Sequence, residues 1–313
     1  MVGASSVHEM PNGPTGRQFI LGDAEHGPSA RITQVGAALR ALRVGGVELI
    51  PPYPDDAPTP AASGVVLVPW PNRIRDGVWT QDGQTRRLAI TEPALNNASH
   101  GLLRFAAYQP VELESGRITL EADVYPQTGY PFHLSTRVTY ELTASGIEVT
   151  HRIVNAGALA APVALGTHPY LMIGGVPTRD LVLTSSGTNR LVVDEQLVPV
   201  DEVPVGPSSD LRRGRRLGDV TLDTAYTGLT RDADDRVRHR LTAPDGRSLV
   251  LWQGPGFDYA QIFTTDRYPG QSLAVAIEPM TAPANAFNSG RGLRWLEPGE
   301  SWSLSWGIAL TDG

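Results

Sequence analysis

His133-Leu134-Ser135-Thr136-Arg137-Val138-Thr139-Tyr140-Glu141-Leu142 alternates apolar and polar side chains almost residue by residue. Leu134, Val138, Tyr140 and Leu142 share one face with Thr136, the pattern of a strand that buries one face and wets the other. The same period of two precedes it, with Ile118, Leu120, Ala122 and Val124 opposed to Thr119, Glu121 and Asp123. It returns near the end in Trp302, Leu304, Trp306, Ile308 and Leu310. Turn chemistry separates such runs. Asp82-Gly83 lies between Val78-Trp79-Thr80 and Arg87-Leu88-Ala89-Ile90, and Asp245-Gly246 between Arg240-Leu241-Thr242 and Leu249-Val250-Leu251-Trp252. Both pairs suit tight hairpins that need positive φ. No long window sustains a helical period; Val35 to Leu42 reads as a turn of helix or equally as a strand. There is no internal repeat and no low-complexity linker. The pattern predicts an all-β, antiparallel sandwich: a single domain over residues 17–313, preceded by a flexible N-terminal lead-in over 1–16.

Composition narrows the chemistry. A chain of 313 residues, 41% hydrophobic, holds enough apolar material for one large core. The formal net charge of −7 argues against nucleic acid as a partner. All 26 basic residues are Arg, so neither a Schiff-base lysine nor a P-loop lysine exists. The chain has no Cys, which removes thiolate catalysis, Cys-ligated zinc and disulfides together. Met1 to Ile20 contains no continuous apolar run, and no later stretch approaches membrane-spanning length. The expectation is a soluble cytoplasmic protein, monomeric or weakly dimeric, with no membrane partner.

Five polar segments interrupt the alternation. Trp70-Pro71-Asn72-Arg73-Ile74-Arg75-Asp76-Gly77 follows the apolar run Val65 to Val68. Its arginines suit surface ion pairs, or a fixed loop presenting a guanidinium fork. In Asn96-Asn97-Ala98-Ser99-His100-Gly101 a lone loop histidine is more often structural than catalytic, although Gly101 permits close ligand approach. Gly166-Thr167-His168-Pro169-Tyr170 holds a histidine whose backbone is restricted by the following proline; packing beside Tyr170 would explain it equally. Asp223, in Thr221-Leu222-Asp223-Thr224-Ala225-Tyr226, reads by itself as a turn cap. Glu278 is different: it ends the apolar strand Ala274-Val275-Ala276-Ile277. Unpartnered burial would cost several kcal/mol or protonate the carboxylate, which points to a tuned acid or base. Among the other histidines, His8 and His26 fall in the loose N-terminal region, His133 on a polar phase, and His239 among arginines. His151 shares phase with Ile147, Val149 and Ile153, as a satisfied core histidine would.

Together these segments resemble the aldose 1-epimerase (galactose mutarotase-like) family. The matching pieces are Asn72-Arg73-Ile74, His100-Gly101, Thr167-His168-Pro169-Tyr170, Leu222-Asp223, and Ile277-Glu278-Pro279-Met280-Thr281 with Asn285-Ala286-Phe287-Asn288. They stand in the family's order and span most of the chain. The resemblance implies a galactose mutarotase-like β-supersandwich whose cleft binds a monosaccharide. It implies Glu278 as the general base on the anomeric hydroxyl and His168 as the general acid on the ring oxygen. Asn72, Arg73, His100 and Asp223 would bind the sugar. It implies no metal and no cofactor, in keeping with the missing Lys and Cys. His100-Gly101 continues as Leu102-Leu103-Arg104, and Arg75 follows Arg73. In this the chain is similar to the bacterial branch that includes sulfosugar mutarotases, where an extra arginine could meet a sulfonate or phosphate or be an ordinary surface charge.

Residue chemistry fits this reading independently. Opening a hemiacetal needs one proton removed from O1 while another reaches the ring oxygen, and a Glu and a His on opposite sides of the sugar can exchange those roles on closure. Trp70, Trp252 and Phe257 are candidate stacking faces, or core residues. Three rival readings stand beside it: a non-catalytic carbohydrate-binding sandwich; a metalloenzyme using His100, His168 and Glu278; and a glycosidase pairing Asp223 with Glu278.

Overall fold

The computed structural model describes residues 9–311. The protein is nearly all-β, and among the described residues every strand pairing is antiparallel. Two large sheets dominate. A nine-stranded sheet starts at Gln109–Glu114 and runs through Leu134–Thr143 and Ser301–Thr311 to Val237–Thr242 and its short edge strands. An eight-stranded sheet runs from the hairpin Asn189–Val193/Pro199–Pro204 through Asp223–Thr227, Tyr259–Thr265 and Ala274–Met280 to Gly166–Thr167 and Val66–Leu67. One apolar core draws on both sheets: Ile118, Val138, Tyr140 and Trp306 from the first, Ile262, Val275 and Ile277 from the second.

The alternation is realised as read. Leu134, Thr136, Val138 and Tyr140 are buried, while Arg137 among them and Glu141 just after are exposed. Asp82 and Gly83 both take positive φ and join Val78–Gln81 to Gln84–Arg87. At Asp245-Gly246 only Gly246 does, in a wider turn between Thr242 and Ser248. The ambiguous Val35 to Leu42 segment contains the start of the strand Leu39–Val44. The N-terminal lead-in differs from its expected boundary: Glu9–Gly13 pairs with Gly16–Gly22 and extends a five-stranded meander. His8 lies outside the described residues. No helix among those described is long and apolar enough to cross a membrane.

Two histidines are structural. His151 is buried and its Nε2 accepts the Trp306 indole N–H at 3.0 Å. His239, expected to be a minor residue among arginines, is fully buried between Ser185 and Gln253. Burial lowers their pKa values to about 3 and about 4. The sign follows: only the unfolded chain takes up these protons as pH falls below about 6.5, so stability is intact above that value and declines beneath it. In His151→Gln, whose amide oxygen can still accept from Trp306, the loss of unfolding free energy from about pH 6.5 to about pH 5 should shrink by ~1.4 kcal/mol per pH unit. Urea titrations at both ends of that range measure it.

Candidate active site

The strand Ala274–Met280 is buried along its whole length because both of its faces are covered. Val275 and Ile277 enter the main core, whereas Ala274 and Ala276 meet Tyr53, Tyr170 and Tyr268 on the opposite face. Glu278 shares that second phase. Its carboxylate therefore points away from the core, into a cavity of about 280 Å³. That explains a carboxylate at the end of an apolar strand.

The other polar segments converge on the same cavity through sheet register. Arg73–Arg75 pairs with Asn97–Ser99, which places His100 directly beyond Arg73. The His100 N–H donates to the Asn72 carbonyl at 2.8 Å, and both residues take positive φ. Asn285 holds this hairpin from afar: its N–H donates to the Arg73 carbonyl at 2.6 Å, and its side-chain oxygen accepts from the Arg75 N–H at 3.2 Å. Gly166–Thr167, paired with both Val66–Leu67 and the Glu278 strand, delivers His168. Asp223 opens the strand beside Tyr259–Thr265. Asn72, Arg73, His100, His168, Asp223 and Glu278 thus all line one cavity.

Within it, His168 Nε2 lies 3.3 Å from Glu278 Oε1, both side chains being almost wholly buried. Burial raises the Glu278 carboxyl well above the usual carboxylate range, Asp223 adds to that, and Arg73 opposes it. Burial lowers His168 to about 4. It also lowers His100 strongly, helped by the neighbouring His168, Arg104 and Arg73. Glu278 Oε2, His168 Nδ1 and His100 Nδ1 have no hydrogen-bond partner. Several buried polar atoms without partners around one cavity mark a site that expects a polar ligand.

Three residues here were not legible as site residues. Glu92 grips Arg73 through two hydrogen bonds, Nε to Oε2 at 2.8 Å and Nη2 to Oε1 at 2.9 Å, while Nη1 donates to Asn72 at 3.2 Å. Gln261 stands opposite Glu278 in register and donates to Asp223 at 2.5 Å. Phe263, two residues on, supplies an aromatic wall. A polar residue flanked by apolar ones in Tyr259–Thr265 was the available signal for Gln261; Glu92, in a loop, offered none. Glu92→Gln should leave Arg73 without its charged partner and raise KM about tenfold with kcat changed less than about threefold. Steady-state kinetics on the purified variant checks this.

Packing decides between readings that the sequence left open. Trp70 donates to the Ala98 carbonyl and packs edge-on against Phe287; Trp252 lies under the Arg236 guanidinium; Phe257 is core. None of these three lines the cavity. Gly101 is needed for its φ of +73° and because an added Cβ would stand 2.1 Å from the Val68 carbonyl oxygen; the close approach is to the chain itself. Arg75 is bound to Asp194 and Gln196, the ordinary surface role. Among the described residues no group of three or more His, Asp and Glu is arranged to hold a metal ion, the set His100, His168 and Glu278 included.

Comparisons with known proteins show the family. The family model described as aldose 1-epimerase matches residues 18–308. The uncharacterized protein YihR of Escherichia coli (strain K12) is 33% identical over 286 residues, 89% of each chain. The galactose mutarotase of Sus scrofa is 31% identical over 163 residues, 50% of this chain and 46% of that one. A galactose mutarotase-like protein from Clostridium acetobutylicum superposes with a TM-score of 0.84 at 18% identity, covering 98% of this chain and 99% of the other. Its likeness is one of fold. The chain belongs to the aldose 1-epimerase family.

Proposed function

We propose that the protein is a mutarotase that interconverts the α and β anomers of a free monosaccharide, with Glu278 as general base and His168 as general acid. The observation that carries this reading is the buried Glu278–His168 pair, 3.3 Å apart, in a cavity otherwise lined by sugar-binding types of side chain. At about 280 Å³ the cavity is just below the range of about 300–1,000 Å³ for drug-sized ligands, and suits one sugar ring.

The step balances within the pair. The O1–H proton passes to Glu278 and its bonding electrons become the second C1–O1 bond. The bond from C1 to the ring oxygen breaks, and that oxygen takes a proton from His168. Rotation about C1–C2 presents the other carbonyl face, and closure returns both protons with the roles exchanged. Glu⁻ with HisH⁺ and GluH with neutral His contain the same number of protons. The pair titrates as a unit, and the direction assigned here follows the family resemblance. Each transfer contributes roughly 10²–10⁴ in rate. No redox partner or covalent nucleophile enters the balance.

Arg104 bears on the sugar. It lines the cavity, makes no ion pair among the described residues, and leaves its Nε buried without a partner. Acidic hexoses therefore belong in the substrate panel beside neutral ones. The test follows α-glucose, α-galactose and a 6-sulfonated or 6-phosphorylated hexose by polarimetry or magnetisation-exchange NMR. Acceleration of any one supports the mutarotase; binding with no acceleration across the panel turns the reading to a carbohydrate-binding module.

A further inference from the structure

Asn97 is wholly buried, two residues before Ser99 at the cavity wall, and the mechanism above gives it nothing to do. Its backbone closes on Glu92 from both sides. The Asn97 N–H donates to the Glu92 carbonyl at 3.2 Å, and the Asn97 carbonyl accepts the Glu92 N–H at 3.0 Å. Its side-chain amide donates to Glu92 Oε2 at 3.4 Å and to the Gln196 carbonyl at 2.9 Å. Both partners are acceptors, which fixes the amide with its nitrogen toward them. The side-chain oxygen is left buried with no hydrogen-bond partner among the described residues. An apolar residue of the same size would escape that cost, so packing alone does not account for an asparagine here.

Gln196 gives that amide something firm to rest on. Its hairpin strand, Asn189–Val193, pairs with Asp223–Thr227 only through Asn189 and Arg190, so the turn beyond lacks that neighbour. The turn is tied instead to the Arg73 strand pair. The Gln196 side chain accepts from Arg75 and donates to Asp76 Oδ1 at 3.0 Å and to the Leu95 carbonyl at 3.2 Å. Asp194 binds Arg75 from the same turn and accepts the Gln196 N–H at 3.0 Å. Arg75, outside the cavity, thus helps to seat the carbonyl against which Asn97 is braced. On the other side of Asn97, Glu92 Oε2 also accepts from Arg73 Nε, and Oε1 from Nη2. A carboxylate has about four acceptor sites, so Oε2 takes both donors without giving up Arg73. One polar chain therefore runs from the hairpin turn through Asn97 and Glu92 to the guanidinium in the cavity.

We propose that Asn97 is a positioning residue: braced on the Gln196 carbonyl, its amide holds the Glu92 carboxylate in the orientation that presents Arg73 to the sugar. It touches no substrate itself. The consequence for turnover rests on the mutarotase reading; the consequence for Arg73 does not. A free arginine side chain loses much rotamer freedom when a ligand fixes it. Here that freedom is already gone before the sugar arrives, which favours binding. A residue acting in this way stabilises ground state and transition state alike, so its loss raises KM and leaves kcat nearly unchanged.

Asn97→Leu keeps the approximate volume and removes both donors. For the tightest-binding sugar of the panel, KM and the calorimetric dissociation constant should rise about 3- to 10-fold, with kcat within about threefold of wild type. In a Glu92→Ala background no carboxylate is left to orient, and the same substitution should change affinity less than about twofold. Wild-type affinity, a fall in kcat alone, or an equal loss of affinity in both backgrounds overturns the proposal; the last would mean that the strand pair was merely loosened. Asn97→Ser, whose hydroxyl is too short to bridge the two acceptors, enters the same cycle if the leucine variant does not fold. If the wild-type protein binds sugar and exchanges no anomers, the mutarotase reading fails and the affinity cycle decides alone. A crystal structure of the variant decides without any sugar: Glu92 should release at least one of its hydrogen bonds to Arg73, and both kept intact overturn the proposal.

Discussion

Glu278→Gln should lower kcat for anomer exchange by about 10²- to 10⁴-fold while the sugar still binds within a few-fold of wild type. The amide keeps the volume and shape of the carboxyl group in a site with almost no exposed surface. What it loses is the capacity to take a proton. Because Glu278 and His168 act as one unit, the double variant with His168→Gln should be scarcely slower than the slower single variant. The pH profile adds a signature. The proposed base must be unprotonated while the proposed acid is protonated; burial raises Glu278 above the ordinary carboxylate range and lowers His168 below the ordinary imidazole range. The active pair therefore holds one proton: kcat/KM falls as pH rises through the raised value, where that proton is lost, and falls again in acid, where the pair takes up a second. Wild-type turnover in Glu278→Gln would show the assigned base to be wrong.

Gly101→Ala should destabilise the protein by about 2–5 kcal/mol, from the positive-φ penalty together with overpacking. The added methyl would meet the Val68 carbonyl oxygen at 2.1 Å and its carbon at 2.5 Å, atoms of a backbone that cannot swing aside. The same carbonyl accepts the Leu102 N–H at 2.7 Å, so any shift also loosens the turn that carries His100. A raised KM should accompany the lower unfolding midpoint in urea. If the variant keeps both wild-type stability and wild-type KM, the turn is more pliable than its geometry indicates.

The sheets were legible because a half-buried strand writes its environment into every second residue. Leu134 to Tyr140 is the clearest case. The site was legible in part. Glu278 stood out through conflict with its own apolar strand, whereas Asn72, Arg73, His100 and Asp223 became candidates as an ordered set of short motifs. What escaped depends on register across strands. Gln261 earns its place from standing opposite Glu278, and nothing in its own neighbours says which strand will lie beside it. Glu92 is invisible for a similar reason: its partner is 19 residues away across an intervening hairpin. The tryptophans show the converse limit. Size and apolarity left Trp70 and Trp252 open between stacking face and core, and three-dimensional packing assigned the cavity wall to Phe263.

The clasp between Asn285 and the Arg73 hairpin joins segments 210 residues apart, and it has a consequence for biosynthesis. A ribosome makes the Arg73 segment first, and the asparagine that braces it follows only 210 residues after Arg75, just behind the strand bearing Glu278. Until both have left the exit tunnel, the Arg73 strand pair lacks its brace and the cavity lacks its carboxylate. Contacts of such separation also form slowly, because a long loop must close before they can reward it. Nascent chains stalled before that point should neither retain sugar nor exchange anomers, however well their first strands have paired.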